Sequence, residues 1–465
     1  MEEKEDLLSK ISALAKRRGF IFPSSEIYGG MANTYDFGPL GTELKENIRK
    51  LWWRKFVQRR EDIFGIDASI IINPKVWEAS GHTAAFGDVM VEDVVTKKRY
   101  RADHLIEEYF LREKGEEVKV DGKSASELQE IIEKEGIKSS DGNDLSKARK
   151  FNLLFETEIG IIEEGKNKAY LRGEIAQGLF INFKNILDSM IPKPKLPFGI
   201  AQAGKAFRNE ITKGQFTFRT LEFDLMEFEY FFDPEDSDWN ELFEYWKSEI
   251  YDFAMLVGLD PGKLRWRQHE SFELSHYSKR TEDLEYNFPW GFKEMFACAY
   301  RTDFDLRNHM EKSGIDLRYQ DPVSGRKFIP HVVEPTFGLS RLVTIILMDS
   351  YREEIVDGKE RVYLKLDKKI APVKVAVFPL QKDEKLESLA KEIYKNLKEK
   401  IDGIVIYDNT GNIGKNYRRQ DEIGTPFCIT VDFDSLSDNS VTVRERDSMK
   451  QERIEIDEVF RFLKF

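Results

Sequence analysis

Residues 217–232 read Thr-Phe-Arg-Thr-Leu-Glu-Phe-Asp-Leu-Met-Glu-Phe-Glu-Tyr-Phe-Phe, and they decide the fold. Apolar and polar residues alternate along the run, the period of a strand whose two faces meet different surroundings. Such a strand belongs to an antiparallel sheet with one face on a core and the other open to solvent or ligand. Just upstream stands Phe207-Arg208-Asn209-Glu210, then a loop through Lys213-Gly214. Two strands joined by that loop bring Arg208, Glu210, Arg219 and Phe223 to one sheet face. The planar fork of Arg suits phosphate, and Phe223 offers a flat surface for a stacked base. Taken alone, the same residues also describe a surface hairpin with salt-bridging charges.

Two further stretches extend the pattern. Glu334-Pro335-Thr336-Phe337-Gly338-Leu339-Ser340-Arg341 precedes the helical run Leu342 to Met348. A glycine turn there lets backbone approach a ligand closely, and Arg341 in the first helical turn faces it. By itself this is a weak signal. Leu40, Leu44, Ile48, Leu51, Trp52 and Phe56 mark a long amphipathic helix, followed by a strand over Ala68 to Ile72 that stops at Asn73-Pro74. A helix and strand ending at Pro make a packing edge or a subunit interface.

Outward from these, Glu2 to Arg18 has a helical period and Tyr28 to Gly41 reads as a Gly-rich loop interrupted by Pro39. The organisation expected is residues 1–91 as the first part of a catalytic domain, 92–150 as a charged insertion and 151–350 as the rest of that domain. Residues 351–370 read as a charged connector and 371–465 as a separate α/β domain. In that domain strands fall at Lys374 to Leu380, Ile404 to Tyr407, Pro426 to Asp432 and Val441 to Glu445. Helices fall at Asp383 to Lys398 and Ile456 to Leu463.

The 465 residues carry Lys+Arg 72 and Asp+Glu 84, a formal charge of −12. That excludes a protein coating nucleic acid non-specifically, though not RNA binding through a local basic face. The two cysteines, Cys298 and Cys428, exclude a disulfide framework and a cysteine-based zinc site. No apolar stretch reaches membrane-spanning length, and the charged N-terminus has no signal-peptide core, so a cytoplasmic protein without a membrane partner is expected.

Helix-strand-Pro, Phe-Arg-x-Glu with Arg-x-x-x-Phe, and Gly-x-x-Arg occur in that order, which resembles motifs 1, 2 and 3 of the class II aminoacyl-tRNA synthetases. Longer stretches make the resemblance specific. Tyr35-Asp36-Phe37-Gly38-Pro39-Leu40-Gly41, Ala79-Ser80-Gly81-His82, Tyr100 to Leu105, Glu174-Ile175-Ala176-Gln177-Gly178, Arg301 to Leu306 and Tyr417 to Pro426 are similar to the homodimeric glycyl-tRNA synthetases over nearly the whole chain. The resemblance implies an α+β catalytic domain on an antiparallel sheet with a C-terminal α/β anticodon-binding domain. It implies a homodimer that binds ATP with Mg²⁺, glycine and tRNA(Gly), with no structural zinc.

Carried onto these positions, the resemblance implies that Arg208, Glu210 and Arg341 are catalytic. ATP meets Arg208, Asn209, Glu210, Phe218, Arg219, Phe223, Glu294, Met295, Gly338, Leu339, Ser340 and Arg341. Glycine meets Arg101, Glu174, Phe223, Glu227, Glu229, Arg301, Glu334 and Thr336, with Arg101 as partner for its carboxylate. Glu334 is the expected magnesium ligand. No general base is assigned to the transfer step. Gly173, Leu221 and Thr336 stand where the family usually has Pro, Arg and Ser, and Phe292 and Ala297 replace a usual Trp and Gly. Two other readings compete: a synthetase-like nucleic-acid-binding subunit without catalysis, and a class II ligase for another small amino acid.

Overall fold

The computed structural model describes residues 2–116, 118–120, 122–160, 167–210 and 216–464; Lys213 and Gly214 of the expected loop, and Phe465, lie outside them. A seven-stranded sheet forms the centre. Its strands are β1 (Ile63–Gly65), β2 (Phe198–Phe207), β3 (Glu222–Phe232), β4 (Leu264–Gln268), β5 (Arg280–Phe288), β6 (Gly291–Thr302) and β7 (His331–Gly338). The order across the sheet is β4-β5-β6-β7-β3-β2-β1, and every pairing is antiparallel except β1 with β2.

The alternation in β3 sorts its side chains as the sequence reading requires. Met226, Phe228 and Tyr230 join the main core. There the rings of Phe228 and Tyr230 meet Trp246 of helix Trp239–Leu256, with centroids at 4.7 and 4.8 Å. Trp52 and Phe56, at the end of the long helix Pro39–Trp53 and in the turn after it, close the same layer against Phe337. Edge-on ring pairs of this kind add to the burial that holds sheet to helices. Leu225 and Glu227, the odd residues, line a cavity on the opposite face.

Several elements differ from expectation for local reasons. Residues 217–221 are not strand: Phe216–Phe218 form a short turn of 3₁₀ helix whose rings sink into the core, and the Thr217 and Thr344 hydroxyls touch. Arg208, Glu210 and Arg219 therefore ride on the link between β2 and β3, and only Phe223 stands on a strand. In the expected loop, Tyr35–Phe37 pairs with Ile21–Pro23. Pro39 there begins the long helix instead of interrupting it, its fixed φ suiting a first helical position. Gly41 lets this helix touch the preceding chain: a Cβ would sit 1.9 Å from the Phe20 carbonyl oxygen. The Ala68 to Ile72 strand shrinks to Ile71–Ile72 in a separate small sheet. The strand that follows the long helix into the main sheet is β1, at its edge.

The expected connector is a hairpin, Tyr351–Val356 with Lys359–Leu364, turning at Asp357-Gly358, both at positive φ. Beyond it, a five-stranded mixed sheet carries the helices Glu384–Lys400 and Ile413–Ile423, the latter not foreseen. Residues 87–152 hold a three-stranded sheet and two helices around their own cluster of Val91, Ile106, Leu128 and Ile132. Among the described residues no helix is long and apolar enough to cross a membrane.

Candidate active site

A cavity of about 250 Å³ opens on the sheet face that β3 leaves uncovered. One end of it is built from arginines and rings. Arg208 donates through Nε to the Gly173 carbonyl at 2.9 Å, and its backbone N–H bonds Leu221 at 2.9 Å. So held, its guanidinium lies 5.4 Å from the Phe223 ring and 5.1 Å from Phe86. Gly173 explains one departure from the family pattern: a Cβ there would approach Phe86 to 2.8 Å, so the usual Pro does not fit beside this ring. Arg219 stands 3.9 Å from Glu210. Arg341 donates to the Glu294 carbonyl at 2.7 Å, pairs with the Glu294 carboxylate at 3.2 Å, and lies 4.5 Å over Phe218. Ser340 accepts from the Asp224 N–H at 2.9 Å.

The other end is acidic. Glu174, Glu227, Glu334 and Thr336 line the same cavity. Thr336 donates to Glu227 at 3.2 Å. Arg301 is fully buried beside them, donating to both Glu334 oxygens at 3.1 Å and to Asp305 at 2.8 and 2.9 Å. Burial raises the Glu174 carboxyl, but His82 at 3.1 Å, Arg301 and Gln177 outweigh it and hold the group far below the usual range. Burial and the neighbouring carboxylates push Glu227 and Glu229 well up. For Glu334, burial raises, Arg301 lowers and Glu174 raises, leaving it at about 7. Both oxygens of Glu229 are buried without a hydrogen-bond partner. Carboxylates outnumber the cations in the nook, so it favours taking up a proton or another cation.

Ligand atoms of Glu227, Glu229 and Glu334 lie within 4.8 Å of one another, so the trio can hold one small cation. That cluster cannot hold both an amino acid's ammonium and a magnesium ion. Glu334 can therefore serve the ammonium or a magnesium ion, not both.

Most expected residues meet in this one cavity: Glu174, Arg208, Glu210, Phe218, Arg219, Phe223, Glu227, Glu294, Glu334, Thr336, Gly338, Ser340 and Arg341. Asn209 does not line it. Met295 and Leu339 are core residues at 1% exposure each. Glu229 and Arg301 sit behind the wall instead of lining it. Arg101 is not brought to the cavity; Asp88 at 3.2 Å and Asp103 at 2.5 Å engage it. Sequence reasoning missed the far wall, His269, Ser275, Tyr277, Thr281 and Asp283. His269 and Asp283 are joined only by the register of β4 on β5, and no local spacing announces them.

A family model described as an anticodon binding domain matches residues 374–465. The chain is 50% identical over 459 residues to the glycine–tRNA ligase of Caldanaerobacter subterraneus subsp. tengcongensis, covering 98% of this chain and 97% of that one. It is 50% identical over 463 residues to that of Alkaliphilus oremlandii, covering 99% and 98%. Against that of Geobacillus thermodenitrificans the identity is 49% over 470 residues, covering 100% and 99%.

Proposed function

The chain belongs to the glycine–tRNA ligase family, and from that premise we propose how its cavity carries out the reaction. The protein is an ATP-dependent aminoacyl-tRNA ligase. It activates glycine as glycyl-adenylate with release of pyrophosphate, then transfers glycine to the 3′ end of tRNA(Gly). Its fold is that of a class II synthetase, with an anticodon-binding domain at the C-terminus.

One observation carries the assignment of roles: two arginine–ring pairs and an acidic nook face a single cavity. Adenine stacks on Phe223, with Arg341 closing over its other face. Arg208 meets the α-phosphate and stabilises the charge that develops there, Glu210 borders it, and Arg219 reaches the outer phosphates. The glycine carboxylate attacks the α-phosphorus in line, so the protein's work is to position and neutralise, without a nucleophilic side chain. Glu174, Glu227 and Glu334 hold the glycine ammonium. Thr336, which lines the nook beside Glu227 and carries a methyl that Ser lacks, excludes larger side chains. Magnesium arrives with ATP; no step is assigned to it through Glu334.

The short edge strand β1 and the long helix before it are the surface proposed for a homodimer, and the cytoplasm is the proposed compartment. The reading as an inactive nucleic-acid-binding subunit is disfavoured because Arg208, Glu210 and Arg341 all line the cavity. Glycine-dependent ATP–pyrophosphate exchange tests the reading. Wild type exchanges with glycine, and Arg208→Ala loses about 10²- to 10³-fold in kcat. Absence of exchange in wild type, or exchange only with serine or alanine, refutes it.

A further inference from the structure

The cavity has a wall that neither the nucleotide clamp nor the glycine nook uses. The sheet register aligns Asp283, Ala297, Thr336 and Glu227 in one row across β5, β6, β7 and β3. Thr281, Ala299 and Glu334 align in the next row. Adjacent strands lie ~4.8 Å apart, so Asp283 stands about 10 Å along the sheet from Thr336. Between them the β6 positions are alanines, and both line the cavity. The result is a trough floored by methyl groups, with the acidic nook on one side and a hydrogen-bonding wall on the other. Glycine fills only the nook.

The wall is built, not incidental. His269 Nε2 lies 2.7 Å from Asp283 Oδ2, and the His269 side chain is 22% exposed. Its Nδ1 makes no hydrogen bond among the described residues. A carboxylate on one ring nitrogen fixes the tautomer and leaves the other nitrogen's lone pair for a substrate. The backbone N–H of His269 bonds Thr281 at 3.0 Å. In the turn that follows, Glu273 accepts from the Glu270 N–H at 2.8 Å, pairs with Arg267, and is approached by Lys119 of the 87–152 region at 3.9 Å. Tyr277 packs 3.7 Å under the Arg301 guanidinium, which couples the wall to the nook.

We propose that His269, oriented by Asp283, is the group that takes the proton from the attacking ribose hydroxyl of tRNA during glycyl transfer. This rests on the glycine–tRNA ligase reading above. In the step, the hydroxyl oxygen forms a bond to the glycyl carbonyl carbon, and the bond from that carbon to the adenylate phosphate oxygen breaks. AMP leaves with the electron pair, and the hydroxyl proton passes to His269 Nδ1 and then to solvent. Neither oxidant nor further co-reactant is needed. Glycine activation has no proton to give at this wall, so the two half-reactions should part company when His269 is changed.

The charged groups acting on His269 are Asp283 and Arg267 on β5 and β4 and Glu273 in the next turn, with Lys119 beyond Glu273 and Glu294 of β6 beyond Asp283. Burial lowers the imidazole's pKa, but Asp283 outweighs it and the net shift is upward from 6.5. Transfer should therefore rise with pH through a value above 6.5.

The test uses the full chain with glycine, ATP and tRNA(Gly). Single-turnover transfer from preformed glycyl-adenylate is compared with ATP–pyrophosphate exchange for wild type, His269→Gln and Asp283→Asn. The expected result for His269→Gln is transfer slowed about 10²-fold or more, with its pH dependence flattened and exchange kept within about threefold. Asp283→Asn, expected to lower the midpoint of the transfer pH profile, carries the test if His269→Gln does not fold. Transfer at the wild-type rate with the wild-type profile overturns the proposal. So does a parallel loss of exchange and transfer in variants that melt like wild type, which would give the wall to ATP. A wild type without exchange would instead sink the ligase reading, and the two failures are distinct.

Discussion

Glu334 sits where a proton and a substrate ammonium compete for the same carboxylate. Burial and Glu174 push it up while Arg301 pulls it down, and the balance stands at about 7. The ionised form attracts the ammonium, so glycine should bind well above this pH and poorly below it. The KM for glycine in the exchange reaction should rise about fivefold from pH 7 to pH 6, the ratio a single site with that pKa gives. The KM for ATP should stay flat. Glu334→Gln should raise the KM for glycine at pH 8 and remove the slope; a slope that survives in this variant would mean another group controls binding. The residues of the clamp were legible because their signals are local: Arg208 and Phe223 flank one link, and Arg341 follows one glycine. Arg301 was legible only as a residue of the glycine end. Its contact with Asp305 is a local i,i+4 pair, but its contact with Glu334 depends on how β6 pairs with β7, which no local spacing records. Arg101 misled for the converse reason. A motif position predicts a neighbourhood, and Asp88 and Asp103 had already taken its fork.

At the scale of elements, helix Ile413–Ile423 shows how a charged segment becomes structural. Its Asp421 is buried and receives Arg361 at 2.9 Å from the hairpin, Arg444 at 2.9 and 3.1 Å from a neighbouring strand, and Arg418 at 3.5 Å from its own turn. Removing one member of a buried charge network leaves the others uncompensated. Asp421→Asn should cost about 3 kcal/mol of stability in chemical denaturation, whereas exposed Asp434→Asn should cost less than about 0.5 kcal/mol. Equal effects would show that the network is not under strain of desolvation. The hairpin that supplies Arg361 was read as a connector because its charges hide the alternation. Its Asp357-Gly358 pair was the available signal, since two residues at positive φ favour a tight two-residue turn. Residues 217–221 failed in the opposite sense. They continue the strand's alternation, but burying Phe216 and Phe218 and seating Thr217 against Thr344 outweighs the local pattern.

Across the whole molecule, the two halves share one core. Ile370, Val373 and Ile423 belong to the cluster that holds Trp52 and Phe337. Asn47 of the long helix donates to the Ile370 and Ala371 carbonyls at 3.3 and 3.1 Å. The first helix, Glu2–Arg18, reaches across with Arg18 to Glu422 at 2.5 Å. Deleting residues 371–465 would therefore strip the catalytic half's own packing and could not separate tRNA reading from glycine activation. A surface charge can. Of the basic residues on helix Ile413–Ile423, Arg418 and Arg419 are paired with Asp421 and Asp408, at 3.5 and 3.2 Å. Lys415 is exposed and makes no ion pair among the described residues. A phosphate contact by Lys415 would weaken with salt in the usual way. Lys415→Glu should raise the KM for tRNA(Gly) about tenfold and lessen the salt dependence of aminoacylation by about one contact, with exchange unchanged. An unchanged KM would move the tRNA contact to another face of the domain. A fall in exchange would instead mean that the shared core transmits changes at the anticodon domain to the glycine site, and the two domains could no longer be treated as dividing the labour.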